Sequence, residues 1–173
     1  MPRTRTAPKP QAAPVEEKFP LRVAAVDVGS NAIRFLAAEF SALGEYEVLE
    51  ETRVPVRLGH DVFLSGKLTP EAMDGAVEAM KSFRARMDAQ GIEHYRAVAT
   101  SATRESRNGA EMVARIRREA GIELEVITGH EEARLVYVAV ANHVKMGDDK
   151  WITVDVGGGS VEVSLVDANG ILW

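Results

Sequence analysis

From Leu21 onward the apolar positions fall into short runs bounded by glycine, proline and small polar residues, the pattern of buried strands and tight turns. LRVAAVDV runs into DVGSN and reads as a strand followed by a turn. NAIRFLAAEF is a second strand closed by Gly44, and EYEVLEETRVPVRLG supplies a third, with Pro55 marking an edge or a break. The period then changes. Met73, Ala76, Val77, Met80 and Phe83 recur at helical spacing within 69–90, behind a Thr69 cap and Pro70 and ahead of Gly91, and this stripe is core packing.

HYRAVAT is a further strand, SATRESR a polar loop, and Asn108 with Glu111 is a capping-box start for a helix ending at Gly121. IELEVIT is another strand, and Glu131 to about Lys145 a helix with an apolar middle. WITVDV, a GGGS turn and VEVSLVD form a hairpin. Asn169-Gly170 turns the chain once more, and Trp173 falls inside what reads as one more strand.

The order βββαβαβαββ predicts an α/β fold with a mixed sheet. Its first three strands form an antiparallel meander and later strands are added through helices. A strand cut short leaves an unpaired edge. The expectation is therefore that the chain belongs to a longer protein, with 151–173 poorly supported or paired with another chain.

Composition narrows the function classes. At 173 residues, 46% apolar and 27% charged, the chain is ordinary for one globular domain or one domain plus part of another. Residues 1–20, with five prolines and few large apolar side chains, read as a disordered tail. No apolar run approaches the roughly 18 residues of a membrane span, and no signal-peptide core is present. Cysteine is absent, which excludes disulfides and thiolate metal sites and makes a cytoplasmic location the simplest expectation. Net charge is −5, yet the tail holds four basic against two acidic groups, so the body is the more acidic part. That argues against DNA as a partner, though not against a small phosphate pocket built from amides, a few arginines and a divalent ion.

The most informative feature is an internal echo: VAAVDVGSNAIRFLAAEF near the start resembles WITVDVGGGSVEVSLVD near the end. Each is an apolar strand, D-V-G, a small polar turn and a returning strand. Gly29 and Gly157, Gly158 and Gly159 allow sharp turns that bring amides close to a bound anion, while Ser30, Asn31 and Ser160 can donate to phosphate oxygens. Asp27 and Asp155, at strand ends, suit a divalent ion held directly or through water. One such loop alone is as readily a plain hairpin turn; two in matching contexts suggest two related lobes sharing a cleft.

Two other loops follow strands. In the first, Thr100 to Glu105, Arg104 is either a bidentate phosphate ligand or a solvated charge. In the second, Gly129 to Arg134, Glu131 and Glu132 either complement a helix dipole or orient and deprotonate a water. His130 has no histidine partner at metal-ligand spacing and reads as a surface residue.

These motifs, in this order, resemble the exopolyphosphatase / guanosine pentaphosphate phosphohydrolase family of the actin–sugar kinase–Hsp70 superfamily. The carrying segments are DVGSNAIRFL, RLG, LTPEAM, ATSATRES, ITGHEEARL and VDVGGGSVEV. DVGSN is shared across the superfamily, whereas TSATRE, TGHEEAR and DVGGGS together are specific to the family. The resemblance implies two ribonuclease-H-like lobes around a cleft, lobe I over 21–130 and an incomplete lobe II over 131–173. It implies Glu132 as catalytic glutamate, Arg104 as a phosphate contact, Asp155 with glycines 157–159 as the second phosphate loop, and Glu162 as an acidic residue linked to a metal, Mg2+ being expected. Val161 departs from the usual SerThrGlu turn and removes a hydroxyl. The implied activity is release of terminal phosphate from inorganic polyphosphate, with guanosine pentaphosphate as the alternative substrate and a homodimer as the protein partner to be considered. A sugar-kinase-like or actin-like ATP user and a non-catalytic phosphate-sensing fragment are the readings from other classes.

Overall fold

The computed structural model describes residues 18–173, so most of the tail read at 1–20 lies outside the described residues. Strands β1 (Leu21–Val28), β2 (Ile33–Ala42) and β3 (Glu45–Val54) form the antiparallel meander, and β4 (His94–Ala99) and β5 (Leu124–Val126) extend it in parallel. The sheet order is β3-β2-β1-β4-β5, which makes β1 the central strand. This is the mixed sheet expected from the chain order.

Alternation along the strands selects the covered face. Ala24, Val26 and Val28 of β1 and Ile33, Phe35 and Ala37 of β2 join one apolar cluster with helices α2 (Pro70–Ala89) and α4 (Gly109–Ala120). The predicted stripe Met73, Ala76, Val77, Met80 and Phe83 is buried, and Phe83 stacks on Phe35 with ring centroids 4.9 Å apart. Thr69 caps α2 by accepting from the Ala72 amide at 3.3 Å.

Four local expectations are corrected. The third strand stops at Val54, and Leu58–Ser65 forms helix α1, whose Leu58 and Val62 enter the core. SATRESR is not a polar loop throughout: Ser101–Glu105 is a short helix, α3, held by Arg104 N–H to Thr100 O at 3.0 Å, with Ala102 fully buried. Asn108 makes no capping bond. Its amide side chain instead bonds both backbone groups of Leu68, at 2.9 and 3.0 Å, tying the entry of α2 to that of α4. The last helix, α5, spans Gly129–Ala141, starting earlier and ending earlier than expected, with Thr128 accepting from the Glu131 amide.

Beyond α5 lies a second antiparallel sheet of β6 (Trp151–Val156), β7 (Val161–Asp167) and β8 (Gly170–Ile171). The stretch after Asn169-Gly170 pairs back on β7, Val166 opposite Ile171, so it is paired within the chain rather than left unpaired. Tyr137 of α5 donates to Asp167 O at 3.1 Å and holds the helix on this sheet. No helix of the described residues is long and apolar enough to cross a membrane.

Phe83→Ala deletes a fully buried ring and its stacking contact with Phe35, so it should cost ~3–5 kcal/mol in urea unfolding. A loss under about 1 kcal/mol would contradict this account of the core.

Candidate active site

The sequence echo is a structural one. In the first hairpin Asp27 lies opposite Arg34 and Val28 opposite Ile33; in the second Asp155 lies opposite Glu162 and Val156 opposite Val161. Each turn closes with the same bond, Gly29 N–H to Ala32 O at 3.1 Å and Gly157 N–H to Ser160 O at 2.9 Å. The loops differ in what faces the aspartate: a guanidinium in the first, a carboxylate in the second.

The two loops touch. A Cβ built on Gly159 would lie 2.5 Å from Ser30 Oγ, 2.6 Å from the Phe63 ring and 2.9 Å from Ser101 Oγ, and one on Gly158 would overlap the Asn31 amide. Only glycine permits this approach. Ser30 and Ser101 are hydrogen-bonded at 2.9 Å in a buried position, so the α3 loop is fixed to the first turn.

Between the loops opens a cleft of about 310 Å³. Asp27, Gly29, Ser30 and Asn31 line it from one side, and Asp155, Gly157, Gly158 and Ser160 from the other. Glu132, on the first turn of α5, reaches the same cleft. Three expected residues stand behind its wall. Gly159 is used up in the loop contact, Arg104 is turned onto Glu132 and the Ile127 carbonyl at 3.2 and 3.0 Å, and Glu162 faces a neighbouring cavity with Gly129, His130 and Ala133.

Electrostatics separates the two adjacent glutamates. Glu131 binds Arg134 and Arg96, which pull its carboxyl down to about 2. Glu132 goes the other way: burial pushes its carboxyl above the ordinary range, the Arg104 hydrogen bond opposes this, and the nearby charges of Glu162 and Asp27 add to it. Asp27 is also raised, first by burial and further by Asp155, with Arg34 opposing. The cleft therefore concentrates acid that the protein itself neutralises only in part.

Among the described residues no three His, Asp or Glu side chains gather tightly enough to hold a metal ion, so Asp27, Asp155 and Glu162 are no closed cage. Even so, the site fits a divalent ion of the Mg2+ type. Such an ion takes about one or two carboxylates and completes its shell with water or phosphate oxygens. Asp27 and Asp155 are near enough to repel, and Glu162 Oε2 is buried without a hydrogen-bond partner.

The profile of the Ppx/GppA phosphatase family matches residues 38–171. The chain belongs to this family. It is 31% identical over 144 residues to exopolyphosphatase 1 of Mycobacterium tuberculosis, a match covering 83% of this chain and 42% of that protein. An exopolyphosphatase structure from Cytophaga hutchinsonii superposes with a TM-score of 0.83 at 35% identity, over 88% of this chain and 48% of that one. The Ppx/GppA family member of Aquifex aeolicus gives 0.77 at 32%, over 87% and 49%. The chain thus spans about half the length of these Ppx/GppA relatives.

Two cleft residues escaped the sequence reading, Arg34 and Arg53. They face one another on β2 and β3, and like charges directly opposite across strands are unfavourable. That conflict, visible only once the strands are in register, is the signal that marks them.

The two glutamates should respond oppositely to neutralisation. Glu131→Gln removes a carboxylate of depressed pKa, whose contribution is full above its ordinary value of 4.5 and lost as pH falls through about 2. Its Tm should drop at neutral pH, the deficit vanishing toward the acid end. Glu132→Gln removes a carboxylate whose charged form is disfavoured, so Tm at neutral pH should hold or rise. A larger Tm loss in Glu132→Gln than in Glu131→Gln would contradict the assignment.

Proposed function

We propose that the protein containing this chain releases terminal orthophosphate from inorganic polyphosphate, with Glu132 as the general base. The observation that carries the reading is the position of Glu132: a half-buried carboxylate of raised proton affinity, aimed into a cleft walled by two matching glycine turns.

The terminal phosphate would sit between the turns, its oxygens accepting from loop amides and from the hydroxyls of Ser30 and Ser160. A divalent ion bound through Asp27 and Asp155 would offset the repulsion between these carboxylates and the phosphate oxygens. Glu132 orients a water in line with the bridging P–O bond. As the water oxygen forms its bond to phosphorus, one proton passes to the Glu132 carboxylate and the bridging bond breaks, its electron pair leaving with the shortened chain. A base of raised affinity holds that proton better than an ordinary surface carboxylate. Arg104 keeps Glu132 aimed, through its bond at 3.2 Å and its anchor on Ile127 O. Asp27, Asp155 and the loop residues are binding groups; Arg104 is a positioning group for the base. The lobe boundary near residue 130 belongs to this reading, since the five-stranded sheet ends at Val126 and the second begins at Trp151.

The test is phosphate release from polyphosphate with magnesium supplied, on the natural full-length protein. Glu132→Gln keeps the shape and removes the base, so kcat should fall ~10²–10⁴-fold with little change in substrate affinity. Near-normal turnover, or a greater loss in Glu131→Gln, would reject the assignment.

A further inference from the structure

Most arginines of the described residues are spoken for. Arg22, Arg84, Arg86, Arg96, Arg104 and Arg115 all form ion pairs with carboxylates, as do those on the rest of α4 and on α5, and Arg107 donates to the Ser65 and Gly66 carbonyls. Among the described residues no ion pair or side-chain hydrogen bond engages Arg34, Arg53 or Arg57. All three are exposed and lie on one side of the first glycine turn.

Arg53 and Arg57, with His60, line a groove of about 430 Å³ that also touches Asn31 and Gly158. Asn31, Arg53 and Gly158 line the catalytic cleft as well, so the groove is continuous with it. Its floor is rigid. Arg57 N–H bonds Asn31 O at 3.1 Å, Gly59 N–H bonds Ser30 O at 2.7 Å, and a Cβ on Gly59 would lie 2.8 Å from that of Ser30. Arg57 is the one non-glycine residue of those described with positive φ, at 56°. A bulky side chain in this conformation is uncommon, and such strain concentrates where a side chain must be aimed. Glycine would make the same bend without it.

We propose that this groove is a second phosphate subsite, in which Arg53, Arg57 and His60 hold the phosphates upstream of the terminal one while that one occupies the cleft. The proposal rests on the phosphohydrolase reading above and adds to it how a net-acidic chain grips a polyanion. Carboxylates gather at the point of cleavage, and the unpaired guanidiniums of Arg53 and Arg57 line the groove that continues from it. Guanidinium groups suit the task because each can donate two parallel bonds to phosphate oxygens.

The experiment is calorimetric titration of the 173-residue chain, with magnesium, using orthophosphate, tripolyphosphate, long-chain polyphosphate and guanosine pentaphosphate as probes. Affinity for the linear inorganic probes should rise with chain length. Arg57→Gly and Arg53→Gln should each weaken long-chain binding by roughly tenfold or more, with a smaller loss for orthophosphate and a flatter dependence on salt. Melting separates aim from architecture: Arg57→Gly should keep or raise Tm, whereas a merely structural arginine would leave binding intact. Arg117→Gln serves as the charge control. It sits at the far end of α4, leading into the start of β5, and should bind every probe as the parent does.

If length dependence persists in Arg57→Gly and Arg53→Gln, the subsite is overturned and the catalytic reading stands. If these variants lose guanosine pentaphosphate but not long-chain polyphosphate, the groove serves a nucleotide and the proposal also fails. If the unaltered chain binds no polyphosphate at all, the substrate reading falls and takes the subsite with it.

Discussion

Gly159 comes so near Ser30, Ser101 and the Phe63 ring that no methyl group fits between them. Much of the site follows from that contact. It sets the turn of the second sheet against the turn of the first, although the sheets share no strand. Ser101 transmits it to α3, because its hydroxyl is bonded to that of Ser30. The first turn is itself braced from the other side by α1, through the amides of Arg57 and Gly59. Three loops from distant parts of the chain thus share one rigid junction, and the cleft is the space left beside it. A rigid cradle matters for phosphoryl transfer, where positioning and fixed charge supply most of what a protein can contribute.

Charge is distributed around the junction in an order that folding alone would not select. Burial raises the proton affinity of Asp27 and Glu132, the charges of Asp155 and Glu162 add to it, and Arg34 and Arg53 oppose each other across two strands. Away from the cleft several charged side chains are doubly paired, with Glu131 between Arg96 and Arg134 and Arg115 between Asp74 and Glu119. Uncompensated charge of both signs at one place, in a molecule that pairs most of its other described arginines, is the mark of a site that waits for ions of its own.

Much of this was legible in the amino-acid sequence, and the parts that were not have physical reasons. Strand and helix order followed from periodicity, because alternation and the Met73–Phe83 stripe are local signals. The duplicated D-V-G turns announced themselves, since a turn needing glycine and a strand-end aspartate leaves few other residues in that pattern. Helix α1 was hidden: its buried side is little more than Leu58 and Val62, and Pro55 suggested only a strand ending. Helix α3 was hidden because Ser101 and Thr103 look like surface residues yet are buried at the junction. Asn108 looked like a cap, and a partner forty residues away outbid the local bond. Arg104 was placed near the chemistry by family resemblance, but its turn toward Glu132 depends on where α5 begins. The arginines of β2 and β3 became meaningful only once strand register set them face to face.

The central claim is that the two glycine turns form one phosphate site. Amide NMR of the 173-residue chain, titrated with pyrophosphate in the presence of magnesium, tests it most directly. The account predicts that the amides of Gly29, Ser30 and Asn31 and those of Gly157, Gly158 and Ser160 shift together and saturate with a single Kd. Shifts confined to one turn, or two turns that saturate at different concentrations, would contradict it.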